Sequence, residues 1–382
     1  MKKIFHDITV LPLTAASFIL VSVLMLVTAC QKQPLQEVQV VSEQSSKFNK
    51  FLKDFNQVNL VADVSGYDAA RLDPNFVNAW GLVFTPSGIA WVNTAETGLS
   101  FVLRQDGSQV IPAVSIPSPD MPTGGAPTGI VFNGSSNFKI PANGNAGRFI
   151  FAGEDGVISA WNGGAFAIKV ADRSSFDAVY KGLALASDGG VNFLYATNFK
   201  GGKIDVFDTA FQYITTKPFW DAGIPSGYAP FNIQNIGGKL YVTYAKQKGP
   251  DNEDDEAGAG NGYVDIFNPN GTLVKRFISR GQLNSPWGIA MAPSTFFADG
   301  GDEEDGQNII LIGNFGDGRI NAFNSDGKFM GQLRSHGNPI EIEGLWALVF
   351  APNATGSDPN KLFFTAGPDD EEHGLFGYLK KD

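Results

Sequence analysis

The 382-residue chain has a single cysteine, Cys30. No disulfide can form within it, and thiol redox pairs, C-x-x-C-H haem attachment and cysteine zinc clusters are excluded too. Histidine is nearly as scarce, with His6, His336 and His373 the full set. That is too few for a histidine-rich metal centre. The sequence also lacks a P-loop, a dinucleotide fingerprint leading into a helix, and a G-x-S-x-G nucleophile turn. Cationic residues are outnumbered, 28 Lys and Arg against 39 Asp and Glu, which leaves a formal charge of −11. An acidic body repels phosphate backbones, so nucleic acid is not an expected partner. Charged residues make up 18% and hydrophobic ones 43%, enough apolar surface to bury, which excludes a disordered chain. What the chain has in excess is glycine, 45 residues, and phenylalanine, 31. Glycine-rich turns between aromatic strands point to an all-β protein.

One long hydrophobic run is present, across residues 11–27. Lys2 and Lys3 precede it, Pro12 and small residues interrupt it, and Val27-Thr28-Ala29-Cys30 ends it. A membrane-spanning helix needs ~20 apolar residues and usually lacks a small-residue cleavage site. The segment resembles a bacterial lipoprotein signal peptide. The resemblance implies export, cleavage before Cys30 and lipidation of that cysteine; Gln31 in the next position implies the outer membrane. Residues 1–29 are thus expected to be removed. Residues 30–56, rich in Gln, Ser and Lys, are expected to form a flexible tether. The remainder, 57–382, shows no further break in composition and is expected to form one domain.

A short phrase recurs six times in that domain. It reads Trp80-Gly81-Leu82-Val83-Phe84, Thr128-Gly129-Ile130-Val131-Phe132 and Lys181-Gly182-Leu183-Ala184-Leu185 in the first three units. It continues as Phe231-Asn232-Ile233-Gln234-Asn235, Trp287-Gly288-Ile289-Ala290-Met291 and Trp346-Ala347-Leu348-Val349-Phe350. Its second residues lie 48 to 59 positions apart. A second apolar run follows each phrase, as in NFLYATN (192–198) and KLFFTAG (361–367). Alternating runs such as KIDVFD (203–208) and YVDIFN (263–268) come next, then turns such as NPNG (268–271). Four short strands per unit, punctuated by Gly, Asn and Asp, predict a six-bladed β-propeller. The glycine of the phrase is expected where the innermost strands crowd the channel. The sixth unit lacks a fourth strand, while QVNLVAD (57–63) stands unpaired before the first. That segment is expected to complete the last blade and close the ring.

These units resemble NHL-type repeats, which form six-bladed propellers. The blocks APFNIQNIGGKLYVTYAKQ (229–247), GNFGDGRINAF (313–323), GLWAL (344–348) and FTAGPDDEEHGLFG (364–377) also resemble an uncharacterised bacterial family of exported propeller proteins. The resemblance spans about residues 58–379. It implies the fold and no activity.

In a propeller, the loops from fourth to first strand and from second to third share one face, where the channel opens. Trp80, Lys181, Asn232, Trp287 and Trp346 are the expected binding residues on that rim. Their aromatic faces and polar groups suit a sugar, a peptide or a small molecule, and packing between blades is the competing role for the tryptophans. Three acidic runs stand out: 251–256, 302–305, and 369–372 followed by His373. The first two are expected to be solvated, and the third to be the better cation site. Some six-bladed propellers resembling this one are Ca²⁺-dependent lactonases. That resemblance implies a channel ion held by Glu, Asn and Asp, with Glu154, Asn198, Asn314 and Asp369 as candidate ligands by position and residue type.

No catalytic residue is fixed by the sequence, and in a hydrolase Glu154 or Asp369 would be the general base beside the ion. The first expectation is a lipid-anchored, monomeric envelope protein that binds a small molecule, glycan or protein partner on its rim, because repeat folds bind more often than they catalyse. It would touch the membrane only through the lipid on Cys30. The alternative is a Ca²⁺-dependent, lactonase-like hydrolase with its site in the channel. The two separate on whether carboxylates and Asn side chains converge at the axis.

Overall fold

The computed structural model describes Phe48, residues 50–297 and residues 308–382. The signal segment, Cys30, the tether up to residue 47 and the 302–305 acidic run lie outside the described residues. From residue 55 onward the chain forms six antiparallel sheets arranged as the blades of a propeller. The inner strands are Ala79–Phe84, Pro127–Phe132, Tyr180–Asp188, Tyr228–Ile236, Pro286–Met291 and Leu345–Phe350. Each contains one copy of the recurring phrase, so the repeat length translates directly into blade length.

The ring closes as the unpaired segment implies. Phe55–Ala62 pairs antiparallel with Leu375–Lys381 and becomes the fourth strand of the sixth blade. Arg71–Leu72 adds a short parallel strand outside it. The first and last strands of the ring therefore share one sheet, and no radial seam is left with unpaired edges.

The packed body begins earlier than residue 57, which shortens the expected tether. Phe48, Leu52 and Phe55 are buried, and the Phe48 and Phe55 rings lie 5.2 and 5.0 Å from those of Phe297 and Phe296. The Leu52 carbonyl accepts the Arg334 N–H at 2.8 Å. Apolar residues at 48, 51, 52 and 55 follow a helical spacing that the surrounding polar residues mask.

Glycine in the phrase has the expected steric cause. A Cβ on Gly81 would stand 2.0 Å from the Thr128 carbonyl of the next inner strand. The fourth blade carries Asn232 at this position and the sixth Ala347. Asn232 is tolerated because its Nδ2 donates to the Trp287 carbonyl of the fifth blade at 2.7 Å.

That bond belongs to a ring of latches between neighbouring blades. Asn93 donates to the Thr128 carbonyl at 2.9 Å, Thr128 to that of Tyr180 at 2.7 Å, and Thr197 to that of Phe231 at 3.0 Å. Thr365 closes the circle by donating to the Trp80 carbonyl. Between the fifth and sixth blades no such latch exists among the described residues. Gly313 occupies the donor position there, and Leu345 and Leu348 press against it.

Aromatic pairs fill the space between blades. Trp91 stacks on Phe149 at 3.8 Å, and Phe84 meets Phe363 edge-on at 5.0 Å. Each fully buried side chain of this size contributes roughly 1.5–3 kcal/mol. Two carboxylates are buried among them at one repeat position, Asp205 and Asp265. Asp205 accepts from the Tyr180 hydroxyl at 3.0 Å and from Asn198 at 3.2 Å. Asp265 pairs with Arg276, which also grips Asp221. Burial still pushes the Asp265 carboxyl up to about 6.

Candidate binding site at the mouth of the channel

The inner strands begin at the face where the expected site lies. Their first residues converge there, but they do not form an open cup. Trp80, Trp346 and Phe231 are at most 1% exposed, and Trp287 is 5% exposed. Trp80 and Trp346 stack at 3.6 Å, and Phe315 covers the other face of Trp346 at 4.0 Å. Trp287 meets Trp346 edge-on at 5.8 Å. These rings plug the channel and form a floor instead of the exposed rim the sequence suggests. Indole rings bury large apolar area wherever neighbours permit, and six converging strands permit it here. Asn232 is likewise committed to its latch.

Lys181 stands on this floor. Its ammonium is 5.1 Å from the Trp80 ring centre, and the residue is only 3% exposed. It pairs with Glu154, and Asp254 lies 3.5 Å away. Burial alone would lower the Lys181 pKa, but Glu154, Asp254 and Glu371 more than offset this and hold it above the ordinary value. The cation therefore stays charged and centres a group of carboxylates drawn from three blades.

Glu371 is the other inward group. Burial raises its carboxyl to about 7; Glu154 and Asp254 push the same way, while Lys181 and a hydrogen bond from Asn78 oppose them. Asn78 Nδ2 donates to Glu371 at 2.6 Å, and Asn78 Oδ1 accepts from the Trp346 indole at 3.1 Å. The aromatic floor is thus coupled through Asn78 to a carboxyl that titrates near neutrality. Such a group can donate or accept a hydrogen bond at pH 7.

An unusual turn aims Glu371 inward. Asp369, Asp370 and Glu371 all have positive φ, 59°, 50° and 70°. The Glu371 N–H returns to the Gly367 carbonyl at 3.2 Å, one turn of left-handed helix. L-residues in this conformation cost roughly 1–2 kcal/mol each. Gly367 leaves the room this requires, since a Cβ there would stand 2.4 Å from Asn78 Oδ1. The turn directs Asp369 outward, with a side chain 71% exposed.

Each of the four candidate Ca²⁺ ligands has its own engagement in this structure. Glu154 is engaged by Lys181 and Asp369 faces solvent. Asn198 Oδ1 accepts from Val179 and Gly201, and its Nδ2 donates to Asp205. Asn314 donates to Gln282 and Asp317. Among the described residues, no group of three or more His, Cys, Asp and Glu side chains is placed to hold a metal ion. An ammonium at the centre of the carboxylates also opposes a second cation electrostatically.

The 251–256 run is only partly solvated. Lys200 binds Glu253 at 2.8 Å and Lys246 binds Glu256 at 2.6 Å, which ties the loop to the third blade and to its own. Asp255 turns inward, and burial raises its pKa. Sequence reading picked out Lys181 and Glu154 but missed Glu371, Asn78 and Asp254 as their partners. The signal for Glu371 was the Gly-Pro-Asp-Asp string ahead of it, because Asp tolerates the left-handed region better than most residues.

No family model matches the chain. Two uncharacterised proteins of Acanthamoeba polyphaga mimivirus are each 34% identical to it, over 339 and 342 residues. The alignments cover 85% of this chain in both cases, and 80% and 86% of the relatives. A solved structural genomics protein of unknown function from Bacteroides thetaiotaomicron shares the fold, with a TM-score of 0.54 at 10% identity over 86% of this chain and 76% of that one. Virginiamycin B lyase from Staphylococcus aureus gives a TM-score of 0.46 at 11% identity, covering 86% of this chain and 99% of its own. The chain, a six-bladed β-propeller, belongs to the family that includes these two mimivirus proteins.

Proposed function

We propose that the propeller is a binding module that takes a small molecule, a glycan or a protein partner at the charged mouth. The supporting observation is the buried Lys181 ammonium set among Glu154, Asp254 and Glu371 on a sealed aromatic floor. A purely structural pair would need one carboxylate. The excess here leaves Glu371 near neutrality and free to exchange its proton with a ligand's hydrogen-bonding group. The strained turn holding it is the kind of feature found at ligand sites. In this reading the chain is exported and held at the outer membrane of the cell envelope by lipid on Cys30.

Binding of the full chain to glycan and peptide arrays tests the mouth. Ligands found there should be lost in Glu371→Lys and weakened in Glu154→Gln. Ligands that survive both substitutions would place binding elsewhere and sink the reading. The anchor is tested separately: Cys30→Ser should move the protein from the membrane to the soluble fraction, and a variant that stays with the membrane removes the lipid from the account.

A further inference from the structure

The far end of the channel presents a second concavity of opposite character. Ile236, Met291 and Phe350 are the last residues of the inner strands of blades four, five and six. With Ile289, Leu348 and Val349 they line a depression of ≈ 270 Å³. Four of its lining residues, Gln234 among them, also line the axial cavity, so the two spaces adjoin. The axial cavity holds ≈ 20 Å³, room for one water. No lining residue of either space carries a charge.

Two polar groups there are unfilled among the described residues. Gln234 stands where the other five inner strands carry Val83, Val131, Ala184, Ala290 and Val349. Its side-chain amide makes no hydrogen bond, whereas the neighbouring Asn235 is occupied by Leu185 and Gly238. Trp287 lines the axial cavity, and its buried indole N–H has no acceptor. Met291 is 49% exposed at the rim, an adaptable apolar surface open to solvent.

We propose that this depression is a second ligand site, for a small neutral molecule with a ring-sized apolar body and one hydrogen-bonding oxygen. Apolar walls supply the affinity. The Gln234 amide can donate to a carbonyl or both donate to and accept from a hydroxyl, so alcohols, ketones, esters and amides fit. Charged heads do not, because the walls offer no counter-ion and burial of an unpaired charge is costly. The site is independent of the charged mouth, from which the aromatic plug separates it.

Three probes that share one ring separate the possibilities: cyclohexanone, cyclohexylammonium and cyclohexanecarboxylate, titrated into the full chain and followed by saturation-transfer NMR. Cyclohexanone is expected to bind at least about tenfold more tightly than either ion. Met291→Glu, at an exposed position that leaves the fold intact, should abolish that binding. Gln234→Leu should weaken it about fivefold without changing the melting temperature. Glu371→Gln should leave it unchanged. Equal binding of the three probes, no binding of cyclohexanone, or binding unaffected by Met291→Glu would overturn the proposal. Loss of cyclohexanone binding in Glu371→Gln would place the probe in the mouth and overturn it as well.

Discussion

The same six strands line both ends of the channel, and they end in different chemistry. At the mouth they start with Trp80, Thr128, Lys181, Phe231, Trp287 and Trp346, a set that differs from blade to blade. At the far end the corresponding residues are mostly Phe, Leu and Met. The mouth is closed by rings, charged by Lys181 and its carboxylates, and tied by latches onto backbone carbonyls. The depression at the far end is open and lined by uncharged, mostly apolar residues, with Asn235 to Leu185 a side-chain link across blades there. A repeat specifies a scaffold position by position, so individuality appears where the repeat is broken. Lys181, Asn232 and Gln234 are such breaks, and two of the three lie in the most diverged copy of the phrase.

Removing the cation should affect this contrast most. Lys181→Met gives the mouth the apolar character of the far end but leaves Glu154 and Glu371 partly buried without a counter-charge. Breaking a buried pair this way costs about 3–5 kcal/mol. Urea unfolding of Lys181→Met should show a loss of that size. The double variant Lys181→Met with Glu154→Gln should recover part of it. Met291→Glu at the exposed far rim should stay within about 0.5 kcal/mol of the parent. A neutral Lys181→Met would mean that the carboxylates simply take up protons, and the mouth would lose its claim to a special charge arrangement.

The next effect is smaller and depends on pH. The Glu371 carboxyl is raised to about 7 in the folded chain from an ordinary 4.5. The folded state therefore binds the extra proton, and this group's contribution to stability falls as pH rises from about 4.5 to 7. His373 is raised by its hydrogen bond to Asp63 and adds a loss in the same direction above 6.5. Unfolding free energy of the parent should drop across the Glu371 window by on the order of 1–2 kcal/mol, allowing for solvent at the half-open turn. Glu371→Gln should flatten the lower part of that slope and leave the part due to His373. An unchanged slope in Glu371→Gln would show that another carboxyl carries the titration.

The fold was legible because it repeats. Six phrases at similar spacing, with one missing and one surplus strand, determine blade number and closure without any contact being known. The site was legible only in its parts. Lys181 and Glu154 stood out by position, yet nothing in sequence says that tryptophans at a rim will stack into a plug. That depends on how far six strands converge, a distance set by the whole ring. Glu371 was hidden for a local reason: three left-handed residues turn the loop so that the third carboxylate, and not the first, faces Lys181. The start of the body was obscured differently, since Phe48 and Leu52 sit within polar sequence and declare themselves only against Phe296 and Phe297.

The smallest effect concerns the latches, which belong to the mouth end. Thr365 is fully buried; its hydroxyl accepts the Ala347 N–H at 3.0 Å and donates across the blade junction to the Trp80 carbonyl. Thr365→Val keeps the shape and removes both bonds, which should cost about 1 kcal/mol or somewhat more, because the Trp80 carbonyl and the Ala347 N–H lose a buried partner. The junction between blades five and six shows the alternative: among the described residues its inner strands carry no such latch, and a side chain on Gly313 would meet Leu345 and Leu348. If Thr365→Val unfolds in urea at the parent's midpoint, apolar contact alone suffices at every junction. The ring of latches would then follow from strand convergence without contributing to its stability. A measurable loss would instead make the fifth junction the weak one. Amide exchange would then be fastest in the inner strands Pro286–Met291 and Leu345–Phe350 at that junction.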